Sequence, residues 1–188
     1  MKYRLLVLLV ILVVWEVRSQ NVSKQLFFSI SYFGILGTHP GVKLGIQYPA
    51  FNLGDANSKT SVHQMIGATN MIFYFHRRNQ LGLGINFEIG YRNRRVQGVS
   101  TELMAGLGYL RTFLPNKVYK FQGDDQIVQR RYLGANHLLK SISLGFGSIS
   151  GQHIDSDLWL IRPTLLQIKP YNIKKTLNFA LDVGYQFK

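Results

Sequence analysis

The stretch Leu177-Asn178-Phe179-Ala180-Leu181-Asp182-Val183-Gly184-Tyr185-Gln186-Phe187 decides the fold. Every second residue is apolar: Leu177, Phe179, Leu181, Val183, Tyr185 and Phe187. The residues between them are small or polar: Asn178, Ala180, Asp182, Gly184 and Gln186. Successive side chains of a strand point to opposite faces. This segment therefore predicts a strand with one wholly lipophilic face and one small, polar face. A soluble sandwich can carry one such strand, so its recurrence is what matters.

It recurs. Leu81, Leu83, Ile85, Phe87, Ile89 and Tyr91 alternate with Gly82, Gly84, Asn86, Glu88, Gly90 and Arg92. Val99, Thr101, Leu103, Ala105, Leu107 and Tyr109 alternate with Ser100, Glu102, Met104, Gly106 and Gly108. Val42, Leu44, Ile46 and Tyr48 alternate with Lys43, Gly45 and Gln47, and Leu26, Phe28, Ile30 and Tyr32 with Phe27, Ser29 and Ser31. Leu138, Ile142, Leu144 and Phe146 alternate with Ser141, Ser143, Gly145 and Gly147, and Lys140 stands as an exception on the apolar face. Val62 to His76 and Leu158 to Pro170 are strand-like without an assignable face. Pro163 is awkward inside a sheet, which predicts a bulge or a strand in two pieces there.

Eight strands follow, at about 25–36, 41–51, 62–76, 81–93, 99–113, 137–148, 158–170 and 176–187. No segment beyond the N-terminus has an apolar run long enough for a membrane helix. The other way to span a bilayer is a closed barrel, in which every backbone group pairs between strands. Its signature is alternating segments of about 10 residues separated by turns. The sequence thus predicts an all-β, eight-stranded antiparallel up-and-down transmembrane β-barrel over 20–188. Both termini of such a barrel lie on the periplasmic side, so connections near 37–40, 77–80, 114–136 and 171–175 face outward.

Composition agrees. The 188 residues include 18 Gly and only 16% charged residues, which fits amphipathic strands better than helices, whose interiors Gly weakens by about 1 kcal/mol each. The absence of Cys excludes a disulfide framework, a zinc–thiolate site, a cysteine nucleophile and a lipoprotein anchor. Lys2 and Arg4, then the apolar run Leu5 to Trp15, then Val17-Arg18-Ser19, form a secretory signal with cleavage expected between Ser19 and Gln20. The run is too short to span a bilayer. An exported chain is not expected to meet nucleic acid, so a formal charge of +13 points to a phosphate-rich membrane surface.

With these features the chain resembles the small outer-membrane β-barrel superfamily of Gram-negative bacteria, which includes OmpA-type and OmpX-type eight-stranded barrels. The run Ala180 to Phe187 resembles that family's C-terminal recognition strand. The resemblance implies that Leu181, Val183, Tyr185 and Phe187 form the signal read by the barrel-assembly machinery, with Lys188 one residue beyond the usual aromatic end. Tyr32-Phe33-Gly34 and Thr38 to Gly45 resemble uncharacterised barrels of Bacteroidota-like bacteria.

Candidate chemistry is sparse. Glu88, Arg92, Glu102 and Asp182 share the polar face and are expected to form a lumen ion network, because charges inside a filled eight-stranded barrel must pair. A turn near 94–98 sets Glu102 opposite Gly90 and diagonal to Glu88 and Arg92. An Arg on the lipid face near mid-membrane costs about 2–4 kcal/mol, whereas a polar lumen substitution acts through the local ion network, so Glu102→Gln is expected to be milder than Leu103→Arg. His39, His63, His76, His137 and His153 offer no closely spaced pair on one face, so no metal site is expected. His153 to Asp157 reads as a polar turn rather than a triad. Glycines near 81–85 and 106–108 lie mid-strand and open no helix, which removes a phosphate loop. No cofactor is expected. Arg77, Arg78, Lys117, Lys120, Arg130, Arg131, Lys174 and Lys175 fall in outward loops or rims and suit lipopolysaccharide or another anionic partner. The expected function is a non-enzymatic outer-membrane barrel with a structural or surface-binding role. A lipid A-modifying barrel enzyme and a soluble periplasmic, lipocalin-like carrier are the alternatives.

Overall fold

The computed structural model of the chain describes residues 26–35, 39–53, 61–76, 80–95, 97–114, 118–122, 126–130, 134–150, 157–171 and 174–188. The expected export signal lies outside the described residues. Among the described residues ten strands form: β1 (Phe27–Ile35), β2 (His39–Asn52), β3 (Ser61–His76), β4 (Gln80–Arg95), β5 (Val99–Phe113), β6 (Val118–Gln122), β7 (Gln126–Arg130), β8 (Ala135–Ser150), β9 (Asp157–Tyr171) and β10 (Lys174–Phe187).

Eight of them close a barrel in the order β1-β10-β9-β8-β5-β4-β3-β2, and every neighbouring pair is antiparallel. Closure pairs β1 with β10, from Phe28 opposite Phe187 to Ile35 opposite Ala180. No barrel edge is left to template aggregation. The other two strands, β6 and β7, form a separate hairpin between β5 and β8. The alternation pattern predicts only a connection over 114–136, and the hairpin within it is a correction. We name the barrel's ends from these landmarks: the hairpin end, and the terminus end where β1 begins and β10 finishes.

The two unassigned segments gain faces. In β3 the even-numbered residues from Gln64 to Tyr74 point into the barrel, and in β9 those from Leu158 to Ile168 do so. Alternation was masked because their inward positions are themselves apolar: Ile66, Ile72, Leu158, Leu160, Leu166 and Ile168 are all buried. β9 is one continuous strand. Its ladder with β10 runs straight through Pro163, opposite Leu181. Its ladder with β8 breaks off after Ser143–Thr164 and resumes at Phe146–Ile161 in unchanged register. Proline has no N–H to donate, and the cost is this local gap, with neither a bulge nor a break. A register shift does occur in β2, between Pro49 and Phe51.

Outward residues form an apolar belt that passes through all eight barrel strands. Ile30, Leu44, Phe73, Phe87, Leu103, Ile142, Leu165 and Leu181, one per strand, are all exposed. The lumen divides into two halves. Toward the hairpin end it is packed by Phe33, Ile35, Ile72, Tyr74, Leu110, Leu139, Leu166 and Ile168. Gly82 makes this packing possible, because a Cβ there would lie 2.2 Å from the Tyr74 ring. From mid-barrel to the terminus end, the lumen mixes charged and polar side chains with apolar ones, among them Ile66, Met104 and Leu158. The turn between β4 and β5 is closed by Gly98, at φ 86°, whose N–H donates to the Arg95 carbonyl at 3.0 Å.

Candidate functional site

Inward parity on five strands brings six charged side chains together in the middle of the barrel. β2 supplies Lys43, β4 supplies Glu88 and Arg92, β5 supplies Glu102, β9 supplies Arg162 and β10 supplies Asp182. They form one chain of alternating sign. Lys43 Nζ donates to Asp182 Oδ2 at 2.9 Å and lies 3.8 Å from Glu88 Oε1. Arg162 Nη1 lies 3.7 Å from Glu88 Oε2, and its Nη2 donates to Glu102 Oε2 at 2.6 Å. Arg92 Nε donates to the other Glu102 oxygen at 2.6 Å. The guanidinium of Arg92 also donates to Gln47 and, at 3.2 Å, to Gln186. Asn70 and Asn86 each donate to Glu88 at 2.9 Å.

All six residues are buried, Arg92 completely. Isolated charges in such a place would be very costly, and alternation of sign with added amide donors is what makes the burial tolerable. The arrangement ties β2, β4, β5, β9 and β10 across the lumen. Both Glu88 and Glu102 are held between cations, and the Ser141 hydroxyl donates to Glu88 Oε1 at 3.3 Å. A cavity of about 10 Å³ opens beside Lys43, Arg162 and Asp182, room for a single water next to Asp182 Oδ1, which has no protein partner.

Glu88, Arg92, Glu102 and Asp182 were named from the sequence; Lys43 and Arg162 were not. Lys43 shares inward parity with Gly45 and Gln47, so the alternation of β2 carried the signal. Arg162 was hidden in the strand whose faces could not be read. One expected placement is corrected: Glu102 lies directly opposite Arg92, and Gly90 faces Met104. β4 runs on to Arg95 and the turn is tighter than assumed, which moves the register by two residues.

The outer wall carries aromatic residues at the terminus end. Phe187 stacks on Phe28 at 6.1 Å, Tyr185 meets Trp159 edge-on at 4.9 Å, and the Tyr185 hydroxyl donates to Asp157 Oδ2 at 2.9 Å. Leu181, Val183 and Phe187 are exposed on this wall and Tyr185 is half-buried. Nearby, Ser61 Oγ lies 3.0 Å from His63 Nε2, and His63 Nδ1 meets the Tyr91 hydroxyl. His137 is inside the lumen, its Nε2 2.8 Å from Thr112 Oγ1, and His153 lies outside the described residues. At the hairpin end the His39 and His76 rings approach to 4.2 Å. Adjacent strands bring this pair onto one face despite its long sequence separation, contrary to the expectation. No group of three metal-binding side chains exists among the described residues. Of the loop cations, Lys120 lies on β6, Arg130 on β7, and Lys174 and Lys175 on β10, all at the hairpin end. Arg77, Arg78, Lys117 and Arg131 lie outside the described residues.

The fold and site together define a closed eight-stranded antiparallel barrel with an apolar outer wall and an ion-paired lumen. No protein-family model matches the chain, and no curated protein matches it in sequence. Among solved structures it is similar to the outer membrane enzyme PagL, at 9% identity and a TM-score of 0.43, over 86% of this chain and 97% of that one.

Proposed function

We propose that the chain is a non-enzymatic outer-membrane β-barrel with a structural or surface-binding role, its hairpin end turned to the cell exterior. One observation carries this reading: the apolar belt crosses all eight barrel strands while six ion-paired charged side chains sit inside. Soluble monomers rarely expose contiguous apolar patches beyond a few hundred Å², and a belt around a whole barrel exceeds that. A lipocalin-like carrier needs the reverse, a polar exterior and a hollow interior; here side chains fill the lumen. The same reading takes residues 1–19 as a cleaved export signal and β10 as the strand recognised during assembly. Lipopolysaccharide phosphates, or an anionic partner, are the counterpart of the basic residues at the hairpin end. Fractionation of cells expressing the full chain tests it. Recovery in the outer-membrane fraction, resistant to carbonate, is expected; recovery in the periplasmic supernatant would overturn it.

A second reading, a lipid-modifying enzyme, draws on Ser61, His63 and Tyr91. A hydroxyl hydrogen-bonded to an imidazole is the element of an acyl-transfer site, and this one sits on the outer wall, where lipid esters would reach it. The ring is oriented by a phenol, where hydrolases commonly use a carboxylate. A fluorophosphonate probe decides between the two. The non-enzymatic reading expects no covalent adduct, and an adduct abolished by Ser61→Ala would establish the enzyme.

A further inference from the structure

Lys43, Asp182 and Glu88 bring an amine and two carboxyl groups together inside the lumen, away from bulk water. In the barrel wall β1 separates β2 from β10, and Ser31 of β1 lies opposite Lys43 on one side and Gly184 on the other. Both Ser31 and Gly184 are small and tightly apposed, since a Cβ at Gly184 would lie 2.3 Å from Ser31 Cβ. The Lys43 side chain therefore reaches across β1, and its Nζ meets Asp182 Oδ2 at 2.9 Å. Glu88 Oε1, from β4, lies 3.8 Å from the same nitrogen. Lys43 and Glu88 are each 4% exposed and Asp182 3%. The cavity beside Lys43 and Asp182 has room for one water, and it is also lined by Arg162, whose Nε–H has no protein partner.

We propose that Lys43 and Asp182 condense to an isopeptide bond, with Glu88 as the proton relay. A buried ammonium hydrogen-bonded to a carboxylate is one proton transfer away from an amine and a carboxylic acid, a form that removes two buried charges. The proton passes from Lys43 Nζ to Asp182 Oδ2. The Nζ lone pair then attacks Asp182 Cγ, and the electrons of the Cγ–Oδ1 double bond move to Oδ1, where Arg162 offers positive charge. Glu88 takes a proton from Nζ and returns it to Oδ2. As the Cγ–Oδ1 double bond re-forms, the Cγ–Oδ2 bond breaks and Oδ2 leaves as water, for which the cavity has room. Of the three protons on the ammonium, two leave in that water and one stays on the amide. Nothing is oxidised or reduced. The fold holds the reacting groups in contact, which acts as a very high effective concentration, and it keeps out the water that would reverse the step. The product joins β2 to β10 across β1 and closes residues 43–182 into a covalent ring through seven of the eight barrel strands. The link depends on the lumen alone and not on what the outer wall meets.

Mass spectrometry of the full chain, purified from expressing cells and then unfolded, tests this, with the N-terminus fixed by sequencing. The chain should be lighter than its sequence by one water. Trypsin should leave Lys43 uncut and release peptide 25–59 joined to peptide 176–188. In hot SDS the joined chain should migrate ahead of the linear Lys43→Arg chain. Chain held in urea from inclusion bodies should be linear and should join only on folding in detergent. Asp182→Ala must stay linear, whereas Asp182→Asn should join with loss of ammonia in place of water. Glu88→Gln keeps both reacting groups and should slow the joining about 100-fold, the scale of a lost general acid–base group. Should a variant fail to fold, the mass and digest of the unsubstituted chain still decide. A folded, unsubstituted chain of full mass whose Lys43 is cut by trypsin overturns the proposal. Loss of one water without the joined peptide does so too, because the dehydration then lies elsewhere. Joining at the unsubstituted rate in folded Glu88→Gln overturns the role of Glu88.

Discussion

Glu102 and Leu103 are chain neighbours with opposite surroundings. Glu102 accepts from Arg92 and Arg162 at 2.6 Å each inside the lumen, whereas Leu103 is exposed on the outer wall. In Glu102→Gln the two guanidiniums keep an amide oxygen but lose the charge between them. Breaking a buried ion pair from one side costs about 3–5 kcal/mol. Leu103→Arg places a cation in the apolar belt at about 2–4 kcal/mol near mid-membrane. The expected order is therefore the reverse of the one drawn from sequence, because Glu102 is the shared acceptor of two buried guanidiniums. Urea unfolding of the barrel in vesicles measures both. Glu102→Gln should be at least as destabilising as Leu103→Arg, and a loss within about 1 kcal/mol would show that the ion chain adds little. The presence of Glu88, Arg92, Glu102 and Asp182 in the lumen was legible because strand parity fixes the face. Their exact partners were not, because a shift of two residues keeps parity while changing every neighbour.

Single strands divide into those whose sequence reveals its faces and those whose sequence conceals them. β4, β5 and β10 were readable because their lumen positions are small or polar. β3 and β9 were not, because Ile66, Ile72, Leu158 and Leu166 fill the lumen with the same residue types that cover the outside. The missed β6–β7 hairpin did leave a signal: two short runs that include Val118, Tyr119 and Phe121, and Ile127 and Val128, flank Gly123-Asp124-Asp125, a Gly-containing connection of hairpin length. At Pro163 the element-scale expectation is specific. Pro163→Val restores an N–H at the gap between β8 and β9, and one backbone hydrogen bond is worth about 0.5–1.5 kcal/mol net. The amide introduced at 163 should donate to the Leu144 carbonyl and exchange as slowly as its neighbours in the ladder. Fast exchange of that amide would mean that the gap has another cause.

At the scale of the whole molecule, the barrel is closed twice over, by the apolar packing toward the hairpin end and by the ion chain below it. The lumen holds the ion chain, and the outside carries the belt of leucines, isoleucines and phenylalanines. The central claim is that this outer wall meets lipid, and single-Cys labelling of the otherwise Cys-free chain tests it most directly. Cysteines are placed at Leu103 and Leu181 on the outer wall, and at Glu88 and Asp182 in the lumen. With the barrel in bilayers, a lipid-phase probe should react at 103 and 181 and a water-soluble maleimide should not, while the packed lumen should restrict aqueous access at 88 and 182. Unrestricted aqueous labelling at 88 and 182, with no lipid-probe reaction at 103 or 181, would contradict the membrane barrel.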